Sequence, residues 1–426
     1  TTGPGGHERW VRSQDGVIAD TVRSEENPGR KLGQRPTWRV AATLRPEAQL
    51  SDLAAIVAAW PARADGSTLV LTRTGGPRLS FTAQPHAERN TARWETFEHL
   101  HRTWPTAGLT LARDAVVELD RCDPWDELDQ IDAAEALGRP HAPSLTLSCR
   151  IPVATSVSLP PSNLQGTGEL AGLRDRSRAV LSQLPGTAPW AVTVERPTRP
   201  LLIEVTTPDI PEAPSRAVLA EQRAELRIKQ AEPAGRVTVL VTAESDLRPA
   251  ARAVAALPWL DRIDINPGLG WVELRGDLGR IDELIPLAEQ HPEINWWLAE
   301  SGEGPVNWVR APGGEFGERA RHYHALVDSG IEWTSIVLHH NAGRPTLSVE
   351  VADPGDWRPV VEAVRSVRWR GDLSVEIGTH YPGVAFTSTA TGPARDAQVA
   401  NNLVPPNPER HPELIEILKA WDATAT

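Results

Sequence analysis

The stretch that decides the fold runs from Gly235 to Glu300 and reads GRVTVLVTAESDLRPAARAVAALPWLDRIDINPGLGWVELRGDLGRIDELIPLAEQHPEINWWLAE. Apolar and polar residues alternate in some segments of it, which indicates strands, and apolar residues recur at helical spacing in others. The predicted strands are Arg236–Ala243, Arg262–Ile265, Trp271–Arg275 and Ile294–Leu298, and the predicted helices are Asp246–Leu257 and Leu278–Gln290. The resulting order, β-α-β-β-α-β, is typical of the ferredoxin-like fold.

The same order of predicted elements returns from Thr37 onward and, with longer connections, in the remainder of the chain. We therefore predict an α+β protein of tandem ferredoxin-like (βαββαβ) modules, roughly four of them, behind a flexible N-terminal tail. The predicted boundaries are 1–36 for the tail, 37–114 for module 1, 115–143 for an acidic helical insert, 144–234 for a decorated module 2, 235–304 for module 3, 305–395 for module 4, and 396–426 for a C-terminal linker and helix.

Tryptophans follow the ends of several predicted helices, at Trp60, Trp104, Trp259 and Trp369. A tryptophan in this position can fold back over the sheet, and an adjacent proline prevents the helix from continuing. We predict that these four residues are parts of the core rather than of a ligand site.

The composition argues against some classes of function. A net charge of −12 is opposite to the basic balance typical of nucleic-acid-binding proteins, so we predict no nucleic-acid partner. The sequence has no run of about 20 apolar residues, so we predict no transmembrane segment. Most of the cationic residues are arginine, which indicates a GC-rich, actinobacterial gene.

The two cysteines, Cys122 and Cys149, bear on the cellular compartment. A disulfide between them favours an oxidising compartment, whereas two unrelated reduced cysteines are equally consistent with the pattern. The sequence begins at Thr1 and is rich in glycine and proline there, which fits an exported chain with an N-terminal membrane tether. We expect a secreted protein or lipoprotein of the cell envelope, with a cytoplasmic location as the alternative.

Motifs for catalysis and cofactor binding are not found: the sequence has no glycine-rich phosphate loop, Gly-x-Ser-x-Gly, His-Glu-x-x-His or Cys-x-x-Cys. We predict no cofactor and nominate no catalytic residue. The candidate metal ligands are His322, His339 and His380, which belong to different elements of module 4 and could gather around a transition metal. The alternative is that these histidines are solvated or hydrogen-bonded.

Three tryptophans form the better candidate for a ligand-binding site. Trp296 and Trp297 are adjacent in one predicted strand, and Trp308 follows in the next. Adjacent side chains of a strand face opposite sides of the sheet, so one of the pair must point away from the core unless both faces are covered. The three residues could line an aromatic groove for a sugar or a lipid.

These observations favour a non-catalytic binding or scaffold protein of the cell envelope, which acts through a protein partner or by self-association. One alternative is a cytosolic regulatory or assembly protein that self-associates. Another is a metal-dependent enzyme with a histidine site in the last module. The fold alone does not choose among the three, because one fold carries many functions.

Overall fold

The chain is a mixed α/β protein that divides into two units. The computed structural model describes residues 4–27, 36–130, 144–151, 153–160, 167–186, 188–195, 199–231, 236–266, 268, 270–302, 307–341, 344–352, 354–379, 383–400 and 404–425, which contain 11 helices and 21 strands. Unit 1 comprises Thr1–Thr207 and Ala213–Arg227, and unit 2 comprises Pro208–Glu212 and Ile228–Thr426. Within the described ranges, every helix is too short or too polar to cross a membrane.

Unit 1 alternates single helices with pairs of strands. Its helices are α1 (Pro4–Arg12), α2 (Leu50–Ala59), α3 (Ala87–Thr103), α4 (Pro124–Leu128), α5 (Thr167–Leu181) and α6 (Arg216–Glu221). Its strands are β1 (Arg23–Glu26), β2 (Trp38–Leu44), β3 (Thr68–Arg73), β4 (Leu79–Ala83), β5 (Gly108–Leu111), β6 (Ala115–Arg121), β7 (Leu145–Ile151), β8 (Thr155–Leu159), β9 (Trp190–Thr193) and β10 (Leu201–Thr207), and β11 (Ala224–Gln230) begins in unit 1 and ends in unit 2.

The strands of unit 1 lie in the order of the sequence. β2 and β3 are parallel and are connected through α2, whereas β3 and β4 form an antiparallel hairpin. Parallel and antiparallel pairs continue to alternate as far as β9 and β10. A parallel pair needs a long crossover and an antiparallel pair only a short turn, so long and short connections alternate as well.

Unit 2 repeats this arrangement. Its helices are α7 (Arg248–Ala255), α8 (Ile285–Glu289, preceded by the 3₁₀ helix Leu278–Leu284), α9 (Gly313–Val327), α10 (Trp357–Ser366) and α11 (Pro412–Ala423). Its strands are β12 (Val237–Val241), β13 (Leu260–Asn266), β14 (Trp271–Gly276), β15 (Asn295–Glu300), β16 (Trp308–Pro312), β17 (Trp333–Asn341), β18 (Arg344–Val351), β19 (Leu373–Gly378), β20 (Val384–Ser388) and β21 (Arg395–Val399). Pairing again follows the sequence, and β21 is antiparallel to β20.

The six elements predicted for Gly235–Glu300 are present, but the ferredoxin-like arrangement is not confirmed. A split βαβ unit has another strand between the two parallel strands that the helix connects. Here β12 and β13 are direct neighbours, as are β14 and β15. β15 also pairs with β16, so the sheet continues through the predicted boundary between 304 and 305. In unit 1 the sheet likewise continues through the predicted insert 115–143, because β6 pairs with β5 and β7.

The helices of unit 2 pack on one face of its sheet, which we call the front face. Buried residues alternate along the strands and lie in register across them: Leu274 pairs with Leu298, which pairs with Val309. Trp296 also lies on this face, since the centre of its ring is 6.4 Å from the centre of the Phe316 ring in α9. The intervening residues face the opposite side, the back face, where most of them are half-buried or exposed.

The four tryptophans after helix ends belong to the core, as predicted, and none is more than 9 % exposed. Each indole N–H donates a hydrogen bond to an oxygen at 2.9–3.3 Å: Trp60 to Ser67 O, Trp104 to Glu127 Oε2, Trp259 to Glu283 Oε2 and Trp369 to Ser388 O. A buried indole is stable in a core when its N–H donates a hydrogen bond, which explains why the same arrangement recurs after several helices.

The predicted flexible tail is instead folded over residues 4–27. Helix α1 buries His7 and Val11, and the ring of His7 lies 5.5 Å from that of Trp60. Strand β1 pairs antiparallel with β2. Residues 28–35 lie outside the described residues. The sequence pattern missed this segment because its apolar residues are sparse, and such a short helix is stabilised by packing rather than by its own propensity.

The predicted insert and the decorated module are described only in part. Asp123 caps α4 by accepting a hydrogen bond from the Trp125 backbone N–H at 2.8 Å, as its position before Pro124 predicts. Residues 131–143 lie outside the described residues. Within the decorated module, Thr155–Leu159 form β8, and residues 161–166 again lie outside the described residues.

The predicted C-terminal helix is α11, and it packs on unit 2. Trp421 is fully buried, with its ring 4.7 Å from that of Phe386 and 6.1 Å from that of Trp369. The Arg365 guanidinium carbon lies 4.1 Å from the centre of the Trp421 ring. The same guanidinium donates to the Trp421 carbonyl at 2.8 Å, so α10 and α11 are joined by both packing and hydrogen bonds.

Candidate functional site

Trp296 and Trp297 face opposite sides of the sheet, as expected for adjacent residues of a strand. Trp296 is fully buried on the front face under α9. Trp297 lies on the back face, where its ring centre is 5.6 Å from that of Trp308. Two of the three tryptophans predicted to bind a ligand therefore share a surface, and Trp296 is part of the core.

Trp297 and Trp308 belong to a larger cluster that draws one ring from each of four consecutive strands. Trp271 of β14, Trp297 of β15, Trp308 of β16 and His339 of β17 form a chain with successive ring centres 6.5, 5.6 and 5.2 Å apart. The guanidinium carbon of Arg310 lies 5.2 Å from the Trp271 ring centre. We call these five residues the aromatic patch.

The strand register explains how the rings meet. Trp297 pairs with Glu273 on one side and with Arg310 on the other, so Trp271 and Trp308 are its diagonal neighbours. Diagonal neighbours are about 7–8 Å apart, which aromatic side chains can bridge. The ring planes are inclined by 76° for the first pair, which is an edge-to-face contact, and by 58° for the second, which is tilted. The patch is consequently a packed surface and not a slot between parallel rings.

The patch is half-buried, and its charge is set by one cation. All five of its side chains are intermediate between buried and exposed. Burial lowers the pKa of His339, and the nearby charge of Arg310 lowers this pKa further. The imidazole is therefore neutral near pH 7, and Arg310 is the cation within the patch. Glu273 and Asp264 lie beside it, because Glu273 pairs with both Trp297 and Asp264.

His322 and His339, two of the three histidines predicted as metal ligands, lie on opposite sides of the sheet. His322 lies in α9, which packs on the front face, whereas His339 lies on the back face against Trp308. His380 lies outside the described residues. Within the ranges that the structure describes, no group of three or more His, Cys, Asp or Glu side chains is placed to hold a metal ion.

His322 takes part instead in a partly buried network between α9 and β17. Its Nδ1 is 3.3 Å from Nη1 of Arg319, and both side chains are almost fully buried. The carboxylate of Glu315 lies 3.7 Å from Nη2 of Arg319 and 3.0 Å from Nε2 of His340. Burial, and secondly the charge of Arg319, lowers the pKa of His322 to about 4. A neutral imidazole at this site can accept a hydrogen bond from the guanidinium, which an imidazolium cannot.

Cys122 and Cys149 form a disulfide, with their Cα atoms 5.4 Å apart. The bond connects the residue after β6 to the end of β7, and these two strands are parallel neighbours. It therefore fixes one end of this strand pair.

Sequence reasoning missed Trp271 and Arg310 as members of the patch. The signal was present in the alternation of β14 and β16, where Val272, Val309 and Ala311 mark the buried face and the residues between them the other. The alternation shows which way Trp271 and Arg310 point but not that their strands flank β15. Comparison with protein-family models, with characterised proteins and with solved structures gave no match.

Proposed function

We propose that this protein is a non-catalytic binding protein of the cell envelope and that the aromatic patch is the surface that contacts a protein partner. The observation that supports this proposal is the assembly of three tryptophans and an arginine on the back face of one sheet. Tryptophan and arginine are enriched among the residues that contribute most to the energy of protein–protein binding. Large aromatic side chains also supply binding area at low cost in conformational entropy.

The form of the patch favours a protein over a small molecule. Small-molecule sites are concave and enclose most of their ligand. In this patch the tilted rings pack against one another, so they present edges and faces to one side of the sheet. The carboxylates of Glu273 and Asp264 flank Trp297 on the β13 and β14 side. An apolar centre with a charged rim is the usual anatomy of a protein interface. Arg262 lies 3.8 Å from Asp264, so this rim carries charges of both signs.

The disulfide supports the location outside the cytoplasm. Disulfides persist in oxidising compartments and are rare in reducing ones. If the protein is in the envelope, then Cys122 and Cys149 of protein taken from its native cells are blocked to a thiol-reactive label until a reductant is added. Labelling without reductant would place the protein in a reducing compartment and remove this part of the proposal.

The partner is tested by a photo-crosslinker placed within the patch in the native cells. Trp308 is replaced by p-benzoylphenylalanine, and the matched control carries the same group at Thr387, on the back face of β20. We expect an adduct with one protein from position 308 and not from position 387. The adduct is identified by mass spectrometry, and the two purified proteins are then titrated against each other.

The titration decides the proposal. Trp297→Ala is expected to raise the Kd by about 30-fold, which corresponds to the loss of about 2 kcal/mol that defines a dominant contact residue. Thr387→Ala is expected to leave the Kd unchanged. An unchanged Kd in Trp297→Ala, or the same adducts from both crosslinker positions, would overturn the assignment of the patch. An adduct between two copies of this chain would establish self-association in place of a different partner.

A further inference from the structure

A depression of about 370 Å³ lies in unit 1, at the place where the parallel strands β4 and β5 end. Gln84 follows β4, and Arg113 follows β5 in the short turn that leads to β6. Helix α3 connects the two strands, and Arg89 and Arg93 of its first two turns also line the depression. These two arginines are four residues apart, so they lie on the same side of the helix.

The depression is locally positive, although the chain as a whole carries a net charge of −12. Three of its lining residues are arginines, and among the described residues no carboxylate lines it. Burial lowers the pKa of Arg93, and the charge of Asp114 opposes this shift. The carboxylate of Asp114 lies outside the lining and accepts a hydrogen bond from the Ser144 hydroxyl. Arginine stays protonated in proteins, so all three guanidinium groups are charged.

Arg93 is a buried cation that the described part of the protein leaves without a counter-ion. The residue is 9 % exposed, and its Nε and Nη2 atoms are closed to solvent and have no hydrogen-bond partner within the described ranges. Two other described arginines are as deeply buried, and each has a carboxylate partner: Arg248 pairs with Asp246, and Arg319 lies 3.7 Å from Glu315. A buried charge without a partner destabilises a fold, and a bound anion compensates it.

We propose that this depression binds the phosphate group of a small ligand, with Arg93 at its base and the exposed Arg89 and Arg113 at its mouth. Guanidinium groups bind phosphate through charge-assisted hydrogen bonds, and three of them match its double charge and several acceptor oxygens. The volume falls in the range of about 300–1,000 Å³ that is usual for small-molecule sites, so an organic group attached to the phosphate has room. The site lies within unit 1, and the proposal does not depend on the aromatic patch of unit 2.

The full-length protein is titrated calorimetrically with inorganic phosphate, with glucose 6-phosphate and with glucose, at an ionic strength held constant with sodium chloride. We expect at least one of the two phosphates to bind with a Kd of about 1 mM or tighter, and glucose not to bind. Equal affinities for the two phosphates identify the phosphate group itself as the ligand, and tighter binding of the ester shows that the organic group contributes.

Arg93→Met removes the buried charge and keeps a long, unbranched side chain. It is expected to raise the Kd by about 10–100-fold, the range for lost hydrogen bonds to a charged group. Arg102→Met is the matched control, because Arg102 is exposed in the last turn of the same helix and is not among the residues that line the depression. Its Kd should equal that of the wild type. If Arg93→Met does not fold, Arg113→Ala in the exposed turn is expected to weaken binding by about tenfold.

Thermal unfolding separates a ligand-binding role of Arg93 from a structural one. Without phosphate, the Tm of Arg93→Met should equal or exceed that of the wild type, because an unpaired buried charge has been removed. Phosphate at about 10 mM should raise the Tm of the wild type and of Arg102→Met but not that of Arg93→Met. The proposal is overturned if neither phosphate binds, if Arg93→Met binds phosphate as the wild type does, or if Arg113→Ala and Arg102→Met bind it equally.

Discussion

The start of helix α9 provides the sharpest test of how unit 2 is packed. Gly313 is the first residue of α9 and faces the end of α8. A Cβ atom added at Gly313 would lie 2.1 Å from the carbonyl oxygen of Ala288 and 2.4 Å from that of His291. Both atoms belong to the backbone, so neither can rotate away, and α8 or α9 must move. We predict that Gly313→Ala destabilises unit 2.

The expected loss follows from the two overlaps. Forcing one extra carbon into a well-packed site costs about 1–3 kcal/mol, and two contacts with backbone oxygens place this variant at about 3 kcal/mol or above. In a unit of roughly 200 residues, 1 kcal/mol lowers the Tm by about 2–4 °C. Gly313→Ala should therefore lower the Tm of unit 2 by about 6–12 °C.

The neighbouring glycine is the matched control. A Cβ at Gly314 would lie 3.6 Å from Cβ of Pro292, which is an ordinary contact. Alanine is a better helix former than glycine by about 0.5–1 kcal/mol, so Gly314→Ala should be neutral or stabilising. Both variants are measured by thermal and urea unfolding followed by circular dichroism. A Gly313→Ala variant as stable as Gly314→Ala would refute the packing of α8 against α9.

Three further predictions concern pH, the C-terminal helix and the disulfide. His322 binds a proton below about pH 6.5 in the unfolded chain but only near its pKa of about 4 in the folded protein. The free energy of unfolding, measured by urea titration, should therefore fall by up to about 3 kcal/mol between pH 6.5 and pH 4. His322→Gln should reduce this loss. Trp421→Ala should cost about 3–5 kcal/mol and expose α11 to trypsin, as measured by the rate of cleavage. Cys122→Ser should cost about 3–4 kcal/mol in urea unfolding, because the disulfide with Cys149 closes a loop with a sequence separation of 27.

Each of these predictions has its own control. The pH prediction fails if the wild type and His322→Gln lose stability equally on acidification. For the C-terminal helix, Trp421→Phe retains a buried ring and should be cleaved more slowly than Trp421→Ala; equal rates would mean that this side chain does not anchor α11. Wild-type protein treated with a reductant should match Cys122→Ser, and a reduced protein of undiminished stability would contradict the estimate.

Outside the N-terminal segment 4–27, the type and order of most elements could be predicted from the sequence, but their arrangement could not. Helices α8 and α9 contact each other on the front face, yet they connect strand pairs that run in opposite directions. Two such crossovers on one face must have opposite hands. Crossovers between parallel strands are right-handed in nearly all proteins, which favours the interleaved order of a ferredoxin-like module over the sequential order found here.

The candidate site shows the same division at the level of single residues. The opposite directions of Trp296 and Trp297 follow from the period of two along a strand, and the structure agrees. The structure also places His322 in α9 on the front face and His339 on the back face. The spacing of the two residues along the chain could not show this separation. His340 pairs with Glu315 across about 25 positions of sequence, and no local pattern marks that contact.

Outside residues 4–27, the sequence by itself determined most of the helices and strands, which side of each strand is buried and which tryptophans follow helices. These properties depend on residues within a few positions of one another, so the periods of 2 and 3.6 report them directly. Only the tertiary structure decided that β14, β15, β16 and β17 are consecutive neighbours with a diagonal register. Because register is set by pairing between distant segments, it alone brings Trp271, Trp297, Trp308 and His339 together into one surface.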